Sequence, residues 1–142
     1  MRAVKRSPGG VLRESGTTAT VLYVTENAVV VSNVGDSRAV LSQGASFDGD
    51  VAAIQLTVDH VASSTEEKRL VEQRGGFVSS AGGIDRVNGT LAVSRSLGDA
   101  NLAPVLSRVP HVVAMSTEDI TKRCRTSGLV EDTELPCFIV LA

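Results

Sequence analysis

RVNGTLAVSRSLGD, residues Arg86 to Asp99, fits two glycine turns around a short apolar run in fourteen residues. Asn88-Gly89 supplies the positive-φ positions of a tight turn, Leu91, Ala92 and Val93 can be buried, and Gly98 lets the backbone turn sharply beside Asp99. On physical grounds alone this is a strand, a turn and a strand at a sheet edge, with a rim charged by Arg86, Arg95 and Asp99. Such a rim reads first as a set of structural salt bridges, with Arg95 to Asp99 the nearest pair in sequence.

Composition sets the outer limits. The chain has 142 residues, 42% of them apolar, enough for one domain around one core, and no internal repeat. A net charge of −2 argues against nucleic acid as the main partner. Only 3% of residues are aromatic and none is Trp, so Val, Leu, Ala and Ile must fill the core; frequent Val favours strands. Cys124 and Cys137 form neither a CxxC pair nor a metal-binding spacing, which reads as a reducing, intracellular protein, cytoplasmic or nuclear. MRAVKRSPGG lacks the apolar stretch of a secretion signal and no run approaches membrane-spanning length, so no membrane partner is expected.

Residues 1–14, basic and turn-rich, read as a flexible lead, with a nuclear address as the lesser alternative, and the domain is expected over 15–142. Beyond the lead, β-type patterning predicts strands near 17–24, 28–34, 38–42 and 51–57, four segments in about forty residues, which implies an antiparallel sheet. Ser64-Thr65-Glu66-Glu67 has the capping-box pattern and Gly75-Gly76 a stop, predicting a helix over 64–74 with a narrow apolar face at Leu70 and Val71. Phe77 to Ser80 and His111 to Ser116 read as further strands, Thr117 to Pro136 as a loop or short helix, and CFIVLA at 137–142 as a buried strand. The fold class is α+β with antiparallel sheets.

RVNGTLAVSRSLGD resembles the "R-x-N-G-x-L-A-x-S-R-x-x-G-D" signature of the type 2C (PPM-type) metal-dependent protein serine/threonine phosphatases. Ser15-Gly16-Thr17-Thr18-Ala19 is similar to that family's "SG-[ST]-TA" strand, and the stretch from Asn33 through Gly35-Asp36-Ser37-Arg38 to Leu41 to its "N-x-GDSR-x-x-L" hairpin. Thr57-Val58-Asp59-His60, Glu67, Arg69-Leu70 and Gly75-Gly76-Phe77-Val78 continue the likeness in family order. The resemblance covers about residues 15 to 116 and resumes at Cys137 to Ala142.

That resemblance implies a two-sheet sandwich flanked by helices, phosphorylated Ser/Thr proteins as substrates, and a pair of Mg²⁺ or Mn²⁺ ions about 4 Å apart that make a hydroxide nucleophile. It also implies that residues 15–142 are a partial domain: the "DGHGG" segment expected before Ser15 and the "DG" expected after Ala142 carry family metal ligands and have no counterpart here. Asp36 alone matches a family metal-side position, that of an additional, weaker site. No catalytic residue is assigned, the two ions are not expected to bind this chain tightly, and a strand at 137–142 without its continuation implies self-association.

Each candidate has a plainer alternative. Asp36 can make an Asx-turn with the Ser37 N–H, and Asp99 a structural turn or a bridge to Arg95. Arg38, Arg86 and Arg95 can hold phosphate, but pairing with nearby carboxylates is the simpler role. Gly35, Ser37, Gly89, Ser94 and Gly98 belong to the family motifs as structural positions. His60 and His111 are too isolated for a catalytic pair, and the Asp48-x-Asp50 pair reads as a solvated loop. Departures from the family pattern at Ala62, at Pro110-His111 and over 100–110 keep open a catalytically dead phosphatase-like binding module; an unrelated β-rich domain is the last alternative.

Overall fold

The computed structural model describes residues 15–43, 53–126 and 137–142. In chain order the strands are β1 (Gly16–Thr17), β2 (Ala19–Val24), β3 (Ala28–Val34), β4 (Ala39–Gln43) and β5 (Ala53–Gln55). Helix α1 (Thr65–Gln73) follows, then β6 (Val78–Ala81), β7 (Ile84–Val87), β8 (Leu97–Gly98) and a 3-10 turn at Ala100–Leu102. Strand β9 (His111–Ser116), helix α2 (Thr117–Thr126) and β10 (Cys137–Leu141) complete the order. The chain divides into two compact units: one from Met1–Ala19, Val34–Asp36 and His60–Val109, the other from Thr20–Asn33, Ser37–Asp59 and Pro110–Ala142.

The second unit is a sandwich of two three-stranded sheets, ordered β2-β3-β9 and β10-β4-β5. Strands β3 and β9 pair antiparallel from Ala28 opposite Ser116 to Asn33 opposite His111, and β10 and β4 from Cys137 opposite Gln43 to Leu141 opposite Ala39. Val29, Val31 and Met115 from one sheet meet Ala39 and Leu41 from the other, with Leu56 and Ile120 closing the cluster and Ile54 and Ile139 packed against it. Alternation explains this: Val29 and Val31 lie on one face of β3 and are buried, while Val30 and Ser32 on the other are only half-buried. Val21, Tyr23 and Val112 remain exposed. Leu41 is 2% exposed and pairs with Ile139 on one side and Ile54 on the other. Leu41→Ala is therefore expected to cost about 2–5 kcal/mol, read from the urea midpoint.

The first unit carries α1, the antiparallel hairpin β6-β7 and the short pair β1-β8. Its core is Ala62, Val71, Val87, Val105 and Leu106. The helix stops as the Gly75-Gly76 pattern implies: Gly75 sits at φ 83, its N–H donates to Glu72 O at 2.9 Å, and Gly76 N–H reaches back to Val71 O at 3.0 Å. That double closure needs a left-handed residue after the last turn, which glycine adopts at no steric cost.

The antiparallel α+β expectation holds; β2, β3, β5 and α1 fall within the expected spans, and β4 runs one residue past its own, to Gln43. Thr117–Thr126 takes the helical of the two options for that stretch. Two expectations differ. Leu91 to Val93 is not a regular strand but makes isolated bridges, Val87 to Leu91 and Val61 to Val93, because the chain must swing between two partners. Ser64 has the extended N-cap backbone, φ −69 and ψ 129, yet makes no side-chain cap bond. Its carbonyl accepts the Lys68 N–H at 2.8 Å to close the first turn, and Glu67 is engaged elsewhere. The lead 1–14, the Ser46–Asp50 loop with its Asp48-x-Asp50 pair, Val51 and Ala52, residues 127–136 and the side chains of Cys124 and Cys137 lie outside the description. Among the described residues no helix is long and apolar enough to cross a membrane.

Candidate functional site

Strand β3 delivers the chain into Gly35, at φ 99, where a Cβ would lie 2.2 Å from Thr18 Cγ2; glycine is required on both counts. Gly35 N–H donates to His60 Nδ1 at 3.1 Å, and His60 N–H donates back to Gly35 O at 3.1 Å. Accepting at Nδ1 leaves the proton of the neutral ring on Nε2. His60 is 1% exposed, in keeping with a structural role, and its carbonyl accepts the Ser94 N–H at 2.9 Å. Asp36 follows the turn and is exposed.

Behind this turn lies a buried ion pair. Glu67, 4% exposed, projects from the same face of α1 as Val71. Its Oε1 accepts from Arg95 Nη2 at 2.5 Å, and its Oε2 from Arg95 Nε at 3.0 Å and from the Ser94 hydroxyl at 2.5 Å. Burial works to raise the Glu67 pKa, but the hydrogen bonds from Arg95 and Ser94, with the charge of Arg95, outweigh it and hold the carboxyl below its usual range. Arg95 Nη1 also donates to Val109 O at 2.8 Å.

The expected bridge between Arg95 and Asp99 is therefore replaced. The guanidinium fork meets Glu67 with two parallel hydrogen bonds, the geometry it favours. Asp99 takes a left-handed backbone, φ 45, and its Oδ2 accepts the Ser96 hydroxyl at 2.6 Å. Asp99 N–H donates to Ser15 O at 3.0 Å, and Gly16 pairs with Gly98 so closely to the Asp99 carboxylate that a Cβ on Gly16 would overlap it. Arg86 likewise finds a carbonyl, Thr90 O at 2.8 Å, across the Asn88-Gly89 turn, whose φ values of 48 and 69 are the positive ones expected. In the other unit Arg38 pairs with Asp59. Its Nε donates to Asp59 Oδ1 at 3.0 Å and Oδ2 at 2.9 Å, its Nη2 also donates to Oδ2, and Gln55 Nε2 donates to Oδ1 at 2.9 Å. Ser37 O accepts the Thr20 hydroxyl at 3.0 Å.

Glu67 is the residue that the sequence reading misassigned, as a helix cap. Its i, i+4 spacing from Val71 was the available signal, because it puts the carboxyl on the helix face that is buried. Among the described residues no three His, Cys, Asp or Glu side chains gather where they could hold a metal ion. One exposed carboxylate at Asp36 does not supply the several oxygen ligands that two hard divalent ions need, so the described residues do not by themselves fit that pair.

The family model described as Protein phosphatase 2C matches residues 5–125. The chain is 44% identical over 110 residues to "Probable protein phosphatase 2C 10" of Arabidopsis thaliana, and 42% identical over 111 residues to "Probable protein phosphatase 2C 44" of Oryza sativa subsp. japonica. These matches cover 77% and 78% of this chain but 36% and 31% of the relatives, so the chain spans about a third of their length. A solved C. elegans sex determining protein superposes with a TM-score of 0.64 at 30% identity over 72% of this chain and 24% of its own. A serine-threonine phosphatase 2C from Toxoplasma gondii gives a TM-score of 0.62 at 22% identity over 72% of this chain and 37% of its own, a likeness of fold.

Proposed function

The chain belongs to the protein phosphatase 2C family, and from that premise we propose that it serves in an enzyme removing phosphate from phosphoserine and phosphothreonine of protein substrates with Mg²⁺ or Mn²⁺. The observation that carries the reading is the family match over residues 5–125, which contains both the Gly35–Arg38 turn and the Arg86–Asp99 stretch. Bound ions of that kind would supply an activated water and offset charge on the phosphoryl group, and Asp36 is the described residue that would stand beside them. The described residues contribute the frame: the sandwich, the turn that displays Asp36, and the buried Glu67–Arg95 pair behind it. The remaining ligands are assigned to residues outside those described, and the site of action to the cell interior, on the cysteine spacing, which is neither a CxxC pair nor a metal-binding one.

The test compares the protein from the complete reading frame with the 142-residue chain on a phosphothreonine peptide in millimolar Mn²⁺. Phosphate release by the former, abolished by EDTA, with the latter at background, is the expected result. A folded complete protein that releases nothing in Mn²⁺ or Mg²⁺ overturns the phosphatase reading. Robust Mn²⁺-dependent turnover by the 142-residue chain that is lost in Asp36→Asn overturns the assignment of the ligands elsewhere.

A further inference from the structure

We propose that His60 is the positioning residue of the Gly35–Asp36 turn: its Nδ1, accepting the Gly35 N–H, locks the left-handed backbone from which Asp36 is displayed. The proposal goes beyond the phosphatase reading and stands on the geometry of one unit. Glycine is the residue whose own φ and ψ are least restricted, so Gly35 alone does not set the direction of the side chain after it. Here one residue grips it twice. The His60 ring receives the Gly35 N–H at 3.1 Å, and the His60 N–H donates to the Gly35 carbonyl at 3.1 Å.

The grip is rigid because His60 is itself held. It is 1% exposed, its carbonyl accepts the Ser94 N–H at 2.9 Å, and the next residue, Val61, bridges Val93. Ser94 in turn donates its hydroxyl to Glu67 at 2.5 Å. A continuous line of hydrogen bonds thus runs from helix α1 through Ser94 and His60 to Gly35, while Thr18 crowds the glycine where a Cβ would be. An apolar side chain of similar size fills the volume but removes this acceptor from a buried N–H. Asn places an acceptor oxygen where the ring places Nδ1 and so keeps the grip.

The experiment uses ¹⁵N-labelled chain and three variants. In the wild type, a scalar coupling across the hydrogen bond between the Gly35 amide nitrogen and His60 Nδ1 is expected. His60→Leu should lose Gly35 amide protection against hydrogen exchange and shift the Gly35 and Asp36 resonances, whereas His60→Asn should retain both. Val71→Ala destabilises the same unit's core without touching the turn, and should lower the melting temperature while leaving the Asp36 resonance in place. No coupling in the wild type, or a folded His60→Leu with Gly35 protection and Asp36 shifts unchanged, overturns the proposal. If His60→Leu does not fold, the wild-type coupling and the His60→Asn spectrum decide it in the same two directions. In the complete protein, kcat should fall in His60→Leu and recover in His60→Asn. A coupled, protected Gly35 in a protein with no phosphatase activity supports the grip and removes the phosphatase reading instead.

Discussion

Glu67→Ala is expected to cost about 3–5 kcal/mol, a large part of the ~5–15 kcal/mol that holds a small domain folded. The loss comes from what the change strands. Arg95 is only 16% exposed at its side chain, and without Glu67 its guanidinium keeps its charge but loses two hydrogen bonds and a counter-ion. Ser94 loses the acceptor of its hydroxyl at the same time. Replacing both Glu67 and Arg95 by Leu should cost less than Glu67→Ala, since no charge is left behind. Glu66→Ala serves as the control. Glu66 pairs with Arg69 in the open, and its loss should leave the urea midpoint nearly unchanged.

The same pair makes stability depend on pH in a stated direction. The folded Glu67 pKa lies below the ordinary glutamate value of 4.5, so the unfolded chain binds its proton first as pH falls. The contribution is full above about pH 4.5 and is lost as pH drops through the folded value. The difference in urea midpoint between wild type and Glu67→Gln should therefore be fullest at pH 7 and narrow as pH falls below 4.5. A constant difference, or a Glu67→Ala variant within about 1 kcal/mol of wild type, contradicts this account of the pair.

Deleting residues 137–142 is expected to unfold the second unit. Strand β4 is central in its sheet, and β10 bonds it along five residues from Gln43 to Ala39, with Arg38 and Ala142 exchanging two further backbone bonds at 2.7 and 2.9 Å. Removing β10 turns β4 into an edge and takes Ile139 away from the cluster around Leu41. Unpaired strand edges recruit other strands, and Val21, Tyr23 and Val112 already lie exposed in this unit. Loss of a cooperative thermal transition by circular dichroism, with larger species in light scattering, is the expected outcome. A deleted chain that melts cooperatively as a monodisperse monomer refutes it.

Much of the fold is legible from near neighbours along the chain. The Asn88-Gly89 turn, the Gly75-Gly76 stop and the alternating burial of β3 follow from turn chemistry and two-residue periodicity, which depend on residues only a few positions away. The family motifs around Gly35–Arg38 and Arg86–Asp99 are legible for the same reason: they are short and contiguous. The partners of the charged and polar side chains are not. Ser94 and Arg95 reach Glu67 across 27 and 28 residues, and Gly35 reaches His60 across 25. At such separations many carboxylates compete for each arginine, and the nearest in sequence, Asp99 for Arg95, is not the one that packing brings into the fork geometry. Only the tertiary structure decided that Glu67 is a buried anchor rather than a helix cap and that His60 grips the turn displaying Asp36, because burial makes a wrong pairing costly and the right one specific.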